Sequence, residues 1–446
     1  MTESRVLRSA VAALAAAAVL TAAACGGSEG GSGGGADQSA GDSTGVTATS
    51  VKIGSHYPLT GRAAPGYSKI GPAAKAFFDY VNDNGGVNGR KIDFVYRDDA
   101  YNPAQTVQVV RQLVLQDKVF ALVGGLGTPT HTKVVDWLNQ SKVPDLFVAS
   151  GCQCWDQPDK HPYTYGWQPD YYREGKILGK YLAEKFAGKK IAYFFQNDDF
   201  GKDGVRGLDQ FIDKNQVVTR QAYQPGNTDI GPQLTAIAQA KADVVVSFTI
   251  PAYSALLKLG TLKLGIAPQL VISNVGSDPV TLSGLLEAFA KQGGSEVKGS
   301  QLIEGIISDA YLPAYLGPEA ASNSWVALFK KVHEKYLAKT VFDGNTEYGM
   351  AQAYTFVQVL QRAGKNPTRE SLLKALDAGG LTGPTTTPFG FSADSHSGVT
   401  GVQIVKITKG VPVPDGPPST TDAATGAVTP FTGTPVEAPA NGIPPV

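Results

Sequence analysis

Short β-rich stretches and helical patterns alternate along the chain from residue 51 to residue 273. Between the β-rich stretches, apolar positions follow the spacing of amphipathic helices, as in residues 103–114. Asn102-Pro103 and Thr128-Pro129 each combine a capping side chain with a proline suited to the first helical position. The pattern predicts parallel sheets, covered by helices on both faces and built with right-handed crossovers. The predicted strands are 51–54, 91–96, 119–123, 147–150, 191–195, 242–248 and 269–273.

The alternation falls into two successive sets, one before and one after Trp167. Two sets of this length are too much for a single hydrophobic core, so we predict two α/β lobes. In open parallel sheets, ligands bind beyond the carboxyl ends of the strands. Two lobes whose strand ends face each other would therefore enclose a cleft.

The first fifty residues lack this alternation. Arg5 and Arg8 precede an apolar run over 10–24, then Cys25, and residues 26–50 are mostly Gly, Ser, Ala, Thr and Asp. A basic start, a short apolar run and a small-residue cleavage site predict an export signal over 1–24. Cys25 resembles the lipid-accepting cysteine of a bacterial lipobox, which predicts lipidation and a flexible, lipid-anchored linker over 25–50. The alternative is an ordinary secretory signal followed by an unmodified cysteine.

The other end of the chain also lacks a core pattern. Residues 411–446 are rich in Pro, Thr, Ala and Gly, and Phe431 is their only aromatic residue. Such a segment buries too little apolar area to offset the entropy lost on ordering. We therefore expect a disordered, proline-rich tail.

Composition limits the function classes. The chain has 446 residues, 42% of them hydrophobic and 17% charged, and a formal net charge of zero. This composition supports a large core and gives no electrostatic case for binding nucleic acid. Beyond the N-terminal run, no apolar stretch is long enough to span a bilayer.

Two groups of residues raise the question of metal binding or catalysis. Cys152, Cys154 and His161 fall short of the four ligands of a structural zinc site, and a disulfide or two free thiols remain open alternatives. The paired acids at 98–99 and 198–199 lack a nucleophile with a positioned base. We expect no metal, no cofactor and no enzymatic activity.

Four motifs occur in a fixed order near the start of the pattern. They read VKIG at 51–54, PLTG at 58–61, VNDNGGVNGR at 81–90 and DDAYNP at 98–103. This set resembles the leucine/isoleucine/valine-binding type of solute-binding protein, which serves ATP-driven importers. The resemblance extends over about residues 51–408.

The resemblance implies a type I periplasmic-binding fold, with two Rossmann-like lobes joined by three crossovers. The crossovers would lie near 169–171, 308–311 and 388–393. Lobe 1 would hold residues 51–170, with 310–388 returning to it, and lobe 2 would hold residues 171–309, with 389–410 returning to it. A small solute would bind between the lobes as they close.

The resemblance also implies which residues contact the solute. A helix N-terminus favours a carboxylate, and the matching loops of the family hold the carboxylate of the ligand. The residues at those positions are Thr128, Thr130, Gly151 and Gln153. For Thr128, capping of its helix is the simpler alternative role. The expected aromatic wall of the cleft is Tyr67, Tyr171, Phe200 and Tyr253.

One position departs from the family. An α-ammonium group in a dry cleft needs a carboxylate, which the family places after a strand of the second lobe. Here the matching position is Asn274 or Val275, and Asp278 comes a few residues too late. We retain Asn274 as a ligand contact and expect a carboxylate- or amide-bearing solute, either amino acid-like or an aromatic or aliphatic acid. The missing acid argues against a free α-amino acid.

Together these inferences describe an extracytoplasmic, lipid-anchored solute-binding component of an ABC importer. Its expected partners are a small solute, an ABC permease with its ATPase subunits, and the membrane through the N-terminal lipid, with no nucleic acid. We expect a monomer on the outer face of the cell membrane. The alternative is a ligand-sensing subunit that presents its closed state to a signalling partner.

Overall fold

Two β-sheets organise residues 41–445, the part of the chain that the computed structural model describes. The strands are β1 (Ser50–Tyr57), β2 (Lys91–Asp98), β3 (Leu122–Val123), β4 (Asp145–Val148), β5 (Thr164–Gly166), β6 (Ile191–Gln196), β7 (Val217–Tyr223), β8 (Val244–Phe248), β9 (Gln269–Ile272), β10 (Ile307–Ala310), β11 (Gly401–Thr408), β12 (Val411–Pro414), β13 (Ser419–Thr420) and β14 (Thr429–Pro430).

The α-helices are α1 (Ala64–Tyr67), α2 (Ile70–Asp83), α3 (Pro103–Leu115), α4 (Thr128–His131), α5 (Val135–Gln140), α6 (Tyr171–Lys185), α7 (Asp199–Leu208), α8 (Gly231–Gln239), α9 (Pro251–Lys263), α10 (Pro279–Gln292), α11 (Gly299–Leu302), α12 (Ser324–Tyr336), α13 (Gly344–Arg362) and α14 (Arg369–Asp377). No helix within residues 41–445 is long and apolar enough to cross a membrane.

The first sheet has the strand order β2-β1-β3-β4-β5, and all of its pairings are parallel. The second has the order β14-β13-β11-β10-β9-β8-β6-β7, with β12 paired to β11. It is parallel from β7 to β10 and antiparallel from β11 onward. Parallel sheets covered by helices confirm the predicted α/β class.

The chain passes between the sheets three times. After β5 it leaves the first sheet, and α6 leads into β6 of the second. After β10, helices α12 and α13 return to pack against α2, which lies on β1 and β2. The chain then re-enters the second sheet at β11, where Ile307 of β10 lies opposite Lys406.

The helices on the first sheet are joined to one another through aromatic side chains. Phe77 and Phe78 of α2 are fully buried. Their rings lie 6.0 Å from Tyr354 and 5.9 Å from Phe356 of α13, respectively. Edge-to-face contacts of this kind add to the apolar area that the rings bury. This layer fixes the returning segment against the first lobe.

Two predicted helix starts have different outcomes. The Asn102 side chain accepts hydrogen bonds from the amides of Ala104 and Gln105, so its predicted capping role is confirmed. Thr128 is not a cap, because Gly127 occupies that position with φ 106°. A Cβ atom at Gly127 would lie 2.5 Å from Thr130 Oγ1, so the left-handed turn and the crowding both require glycine.

The expectation of a disordered tail over 411–446 is wrong for residues 411–445. Strands β12 and β13 pair with β11, and β14 pairs with β13. Further along, Trp325 Nε1 donates to the carbonyl of Val436 over 2.5 Å, and Tyr80 Oη donates to that of Asn441 over 2.7 Å. Backbone pairing and buried side-chain donors fix this segment, and neither depends on its own apolar content.

The expectation of a flexible linker over 25–50 also needs correction for residues 41–50. Val46 forms a β-bridge with Val51, and the Asp42 carboxylate lies 2.6 Å from the Arg369 guanidinium. These contacts attach residues 41–50 to the first lobe. The predicted signal over 1–24, the lipidation of Cys25 and the linker up to residue 40 lie outside the described residues.

Candidate functional site

A cavity of about 380 Å³ is lined by residues from both sheets and from the segments that cross between them. Leu126 and Thr128 follow β3, Ala149 follows β4, Ile250 follows β8 and Asn274 follows β9. Each therefore lies beyond the carboxyl end of a parallel strand, where open α/β sheets bind their ligands. The volume falls in the range of about 300–1,000 Å³ that is typical of small-molecule sites.

The structure brings five of the predicted contact residues to this cavity, namely Tyr67, Thr128, Tyr171, Phe200 and Asn274. The rings of Tyr171 and Phe200 lie 4.4 Å apart and form part of the apolar wall. Thr128 Oγ1 lies 2.7 Å from Ser150 Oγ. Because Thr128 does not cap its helix, this hydroxyl can serve the cavity.

Thr130 and Tyr253 do not line the cavity. The Thr130 hydroxyl donates to the carbonyl of Leu126 over 2.6 Å, which holds the loop after β3. The Tyr253 ring stacks on Tyr223 with centroids 3.9 Å apart, and its hydroxyl donates to the carbonyl of Asn227 over 2.9 Å. Both side chains use their polar atoms inside the protein.

Gly151 and Gln153 also lie outside the cavity wall. The Gly151 carbonyl accepts from the Tyr171 amide over 2.7 Å, and a Cβ atom at Gly151 would lie 2.5 Å from the Pro169 carbonyl oxygen. Gln153 Nε2 donates to the carbonyl of Ala423 over 3.1 Å. Gly151 therefore positions Tyr171, and Gln153 holds the tail.

Asn274 has an acid beside it in the structure, although the loop after β9 has no acid at the position expected from the family. Asn274 Nδ2 donates to Asp309 Oδ2 over 2.8 Å, and the Asn274 amide lies 3.2 Å from Glu174 Oε1. Asp309 belongs to β10 and lines the cavity. Burial raises the pKa of Asp309 to about 6, and burial together with the nearby Asp309 charge raises the pKa of Glu174 well above its usual range.

Within the described part of the chain, the ionisable side chains that line the cavity, tyrosines apart, are all carboxylic acids. Among the described residues they are Asp278, Asp309, Glu319 and Glu347, with no lysine or arginine. Asp278 accepts hydrogen bonds from Tyr315 Oη over 2.5 Å and from the Gly344 amide over 3.0 Å. Such a lining favours a neutral or cationic solute, because an anion would find no positive side chain among the described lining residues and would oppose ionisation of these acids.

Sequence reasoning missed several tyrosines of the wall. Tyr101, Tyr311 and Tyr348 line the cavity, and Tyr348 Oη donates to Gln168 Oε1 over 2.8 Å. Tyr101 stands in the motif at 98–103 and has φ 59°, an uncommon value for a residue with a side chain. Its amide donates to Asp99 Oδ1 over 2.9 Å. Asp99 thus holds Tyr101 in a strained conformation of the kind that clusters at functional sites, and only the structure shows this strain.

Cys152 and Cys154 form a disulfide bond, which resolves the open question about their state. Cys152 caps the 3₁₀ turn Gln153–Trp155 after β4, and Cys154 lies within this turn. Within residues 41–445, no group of three or more His, Cys, Asp or Glu side chains is arranged to hold a metal ion.

Two helix-covered sheets, three crossings and a cavity lined from both sides define a two-lobed ligand-binding protein. A family model described as periplasmic binding protein matches residues 50–412, and the chain belongs to this family. Membership confirms the resemblance seen in the motifs. It also confirms the expectation of a binding protein rather than an enzyme, because the family is described as one of binding proteins.

Curated relatives match at low identity. An amino acid binding protein of Pseudomonas aeruginosa is 26% identical over 198 residues, which cover 44% of this chain and 52% of that protein. A Leu/Ile/Val-binding protein homolog 1 of Brucella abortus is 22% identical over 328 residues, covering 67% and 86%. The chain thus spans about half the length of the Pseudomonas relative.

Solved structures share the fold. A possible leucine/isoleucine/valine-binding protein of Rhodopirellula baltica aligns with a TM-score of 0.71 at 20% identity, covering 84% of this chain and 98% of its own. A branched-chain amino acid ABC transporter protein of Thermus thermophilus with bound valine gives 0.71 at 20%, covering 84% and 97%. A fatty acid ABC transporter substrate-binding protein of Thermomonospora curvata gives 0.69 at 22%, covering 84% and 93%.

Proposed function

We propose that this chain is the lipid-anchored, extracytoplasmic solute-binding component of an ABC importer. The observation that carries the proposal is the cavity, because the loops after β3 and β4 of one sheet and β8 and β9 of the other contribute to it. A solute that contacts both lobes binds their closed arrangement better than their open one. It therefore shifts the population toward the closed state, which a permease can recognise.

The charge of the cavity narrows the solute class. Within residues 41–445, four acids and no base line it. The Asn274–Asp309 pair places a carboxyl group where a solute nitrogen could donate. These features favour an amide or an amino-acid-like solute over a simple aromatic or aliphatic acid. The relatives named as amino acid or Leu/Ile/Val-binding proteins support the same choice.

A binding screen tests the solute class. The full-length chain is heated with L-leucine, L-isoleucine, L-phenylalanine, their amides and the corresponding acids that lack the amine. Binding at about 100 times Kd adds about 2.7 kcal/mol to the free energy of unfolding, which a thermal-shift assay detects. Stabilisation by the acids alone would contradict the proposed solute class. Closure is measured as a fall in the radius of gyration by X-ray scattering when the best compound is added.

The anchor and the partners have their own tests. We expect Cys25→Ala to abolish metabolic labelling with a radioactive fatty acid and to release the protein from the membrane fraction. Sedimentation of the detergent-solubilised chain should give a monomer. Co-purification with a permease and its ATPase subunits would support import, and co-purification with a signalling receptor instead would contradict it.

A further inference from the structure

Glu347 is a buried acid of the cavity wall that the fold itself does not use. It lies in the first turn of α13, is 2% exposed and lines the cavity. Within residues 41–445, its Oε1 atom has no hydrogen-bond partner. A buried polar atom without a partner is costly, so an atom left in this state at a cavity wall calls for an explanation.

The neighbouring acids Asp278 and Asp343, in contrast, both have hydrogen-bond partners. Asp278 accepts from Tyr315 Oη and from the Gly344 amide. Asp343, which caps α13, accepts from Lys69 Nζ over 2.5 Å and from the Thr346 amide over 2.9 Å. Glu347 is therefore the acid of this group that remains available to a molecule in the cavity.

A second unpaired polar atom belongs to the same cavity. Thr386 lies in the third crossing segment and lines the cavity, and its Oγ1 atom is buried without a hydrogen-bond partner among the described residues. Glu347 and Thr386 come from different parts of the chain. Two unpaired groups in one cavity wall fit a polar group supplied by the solute.

We propose that Glu347 is a specificity-determining residue that accepts a hydrogen bond from an N–H group of the solute, either a primary ammonium or an amide. This contact is additional to the Asn274–Asp309 pair. The inference rests on the proposed function, because it places the nitrogen of the solute within the cavity of that function.

The two kinds of N–H donor, ammonium and amide, differ in charge, so they differ in their effect on the protonation of Glu347. Burial, and next the charge of Asp278, raise the pKa of Glu347, while Lys330 acts in the opposite direction. Asp343 and Tyr315 also face this region, and both adjoin Asp278. An ammonium ion would favour the ionised carboxylate, so its binding would release the Glu347 proton to the buffer. An amide would bind without releasing a proton.

The test uses the full-length chain and probes that share one branched skeleton. They are L-leucine, L-leucinamide, 3-methylbutan-1-amine, 4-methylpentanamide and 4-methylpentanoic acid. Calorimetry measures Kd and, in buffers of different ionisation enthalpy, proton release. Glu347→Gln keeps the shape of the side chain and removes its charge, and Glu334→Gln, at an exposed position of α12, is the matched control.

We expect Glu347→Gln to weaken binding of the amine probes about tenfold and to abolish their proton release, while 4-methylpentanoic acid changes less than about threefold. Glu334→Gln should change neither quantity. Equal weakening of every probe by Glu347→Gln, or no weakening of any, would overturn the assignment of Glu347. Failure of every probe to bind the unmodified chain would instead count against the proposed solute class.

A stability measurement tests Glu347 without any ligand. A residue kept for binding is unfavourable in the empty protein, so Glu347→Met, which removes the unpaired acid at similar volume, should raise Tm by a few degrees. A structural role for the carboxyl group would lower Tm in the same variant. That result would overturn the proposal even if no probe binds.

Discussion

The side-chain amide of Asn274 donates a 2.8 Å hydrogen bond to the carboxyl group of Asp309. The two residues are 35 positions apart in the sequence: Asn274 follows β9, and Asp309 lies near the carboxyl end of β10, the neighbouring strand of the second sheet. The loop after β9 contains no acid at the position expected from the family, but β10 supplies one beside it. The absence of an acid from the loop after β9 is therefore no longer an argument against a free α-amino acid as the solute.

The Asp309 carboxyl group predicts a pH dependence of stability. Its pKa rises from 3.8 to about 6 on folding, mainly through burial. Between these values the folded state holds a proton that the unfolded state has lost. The stability contributed by the neutral side chain is therefore full below about pH 4 and is lost as pH rises through 6.

Asp309→Asn keeps this position neutral at every pH. We expect the variant to lose less free energy of unfolding than the unmodified chain between pH 4 and pH 7, by about 1–3 kcal/mol. Urea denaturation at a series of pH values measures the difference. Identical pH profiles for the two proteins would show that Asp309 is not the titrating group.

Thr128 and Thr130 form a matched pair for separating binding from stability. Thr128→Val removes a hydroxyl at the cavity wall, and we expect the best compound of the screen to bind about tenfold more weakly. Thr130→Val removes a hydroxyl that holds the loop after β3. It should lower the free energy of unfolding by about 1 kcal/mol. Calorimetry and urea denaturation of both variants measure the two effects. Weaker binding in Thr130→Val and lower stability in Thr128→Val would refute the assigned roles.

A buried chain of hydrogen bonds supports the first lobe. His56 Nδ1 lies 2.8 Å from Asp99 Oδ2, His56 Nε2 lies 2.9 Å from His131 Nδ1, and His131 Nε2 lies 2.8 Å from Asp145 Oδ2. All four side chains are fully buried. Removing one member leaves a buried charge without its partner, which costs about 3–5 kcal/mol.

We therefore expect His131→Gln to lower the free energy of unfolding by that amount, measured in urea. The control is His161→Gln, because His161 pairs with Asp136, whose side chain is 66% exposed and can be solvated by water. The control should cost about 1 kcal/mol or less. Equal losses in the two variants would show that the buried chain has no special role.

The contacts of Lys176 with the C-terminal segment predict that truncating this segment lowers stability. Lys176 is fully buried, and its Nζ atom donates to Asp422 Oδ1 over 2.8 Å and to the Ala424 carbonyl over 2.8 Å. A chain that ends at Pro414 would leave this ammonium group without those acceptors. We expect a loss of about 2–5 kcal/mol in the free energy of unfolding. Asp422→Asn should give a smaller loss of stability than the truncation. An unchanged urea midpoint in the truncated chain would show that the tail does not stabilise the rest of the protein.

Local signals in the sequence were reliable where the structure is local. The cap at Asn102 and the alternation of strands and helices were predicted correctly, because both depend on residues close together in the chain. Thr128 shows the limit of such signals. Its Thr-Pro pair has the form of a helix start, but the left-handed Gly127 takes the cap position and leaves the threonine to the cavity.

The sequence by itself determined the α/β class and the presence of two lobes, since the periodicity of apolar residues reports local burial. Only the tertiary structure decided which charges face the cavity. The groups around Asn274 come from positions 35 and 100 residues away, and no local pattern encodes such a meeting. The order of the tail has the same origin, because its partners are the distant strand β11 and buried donors such as Lys176 and Trp325.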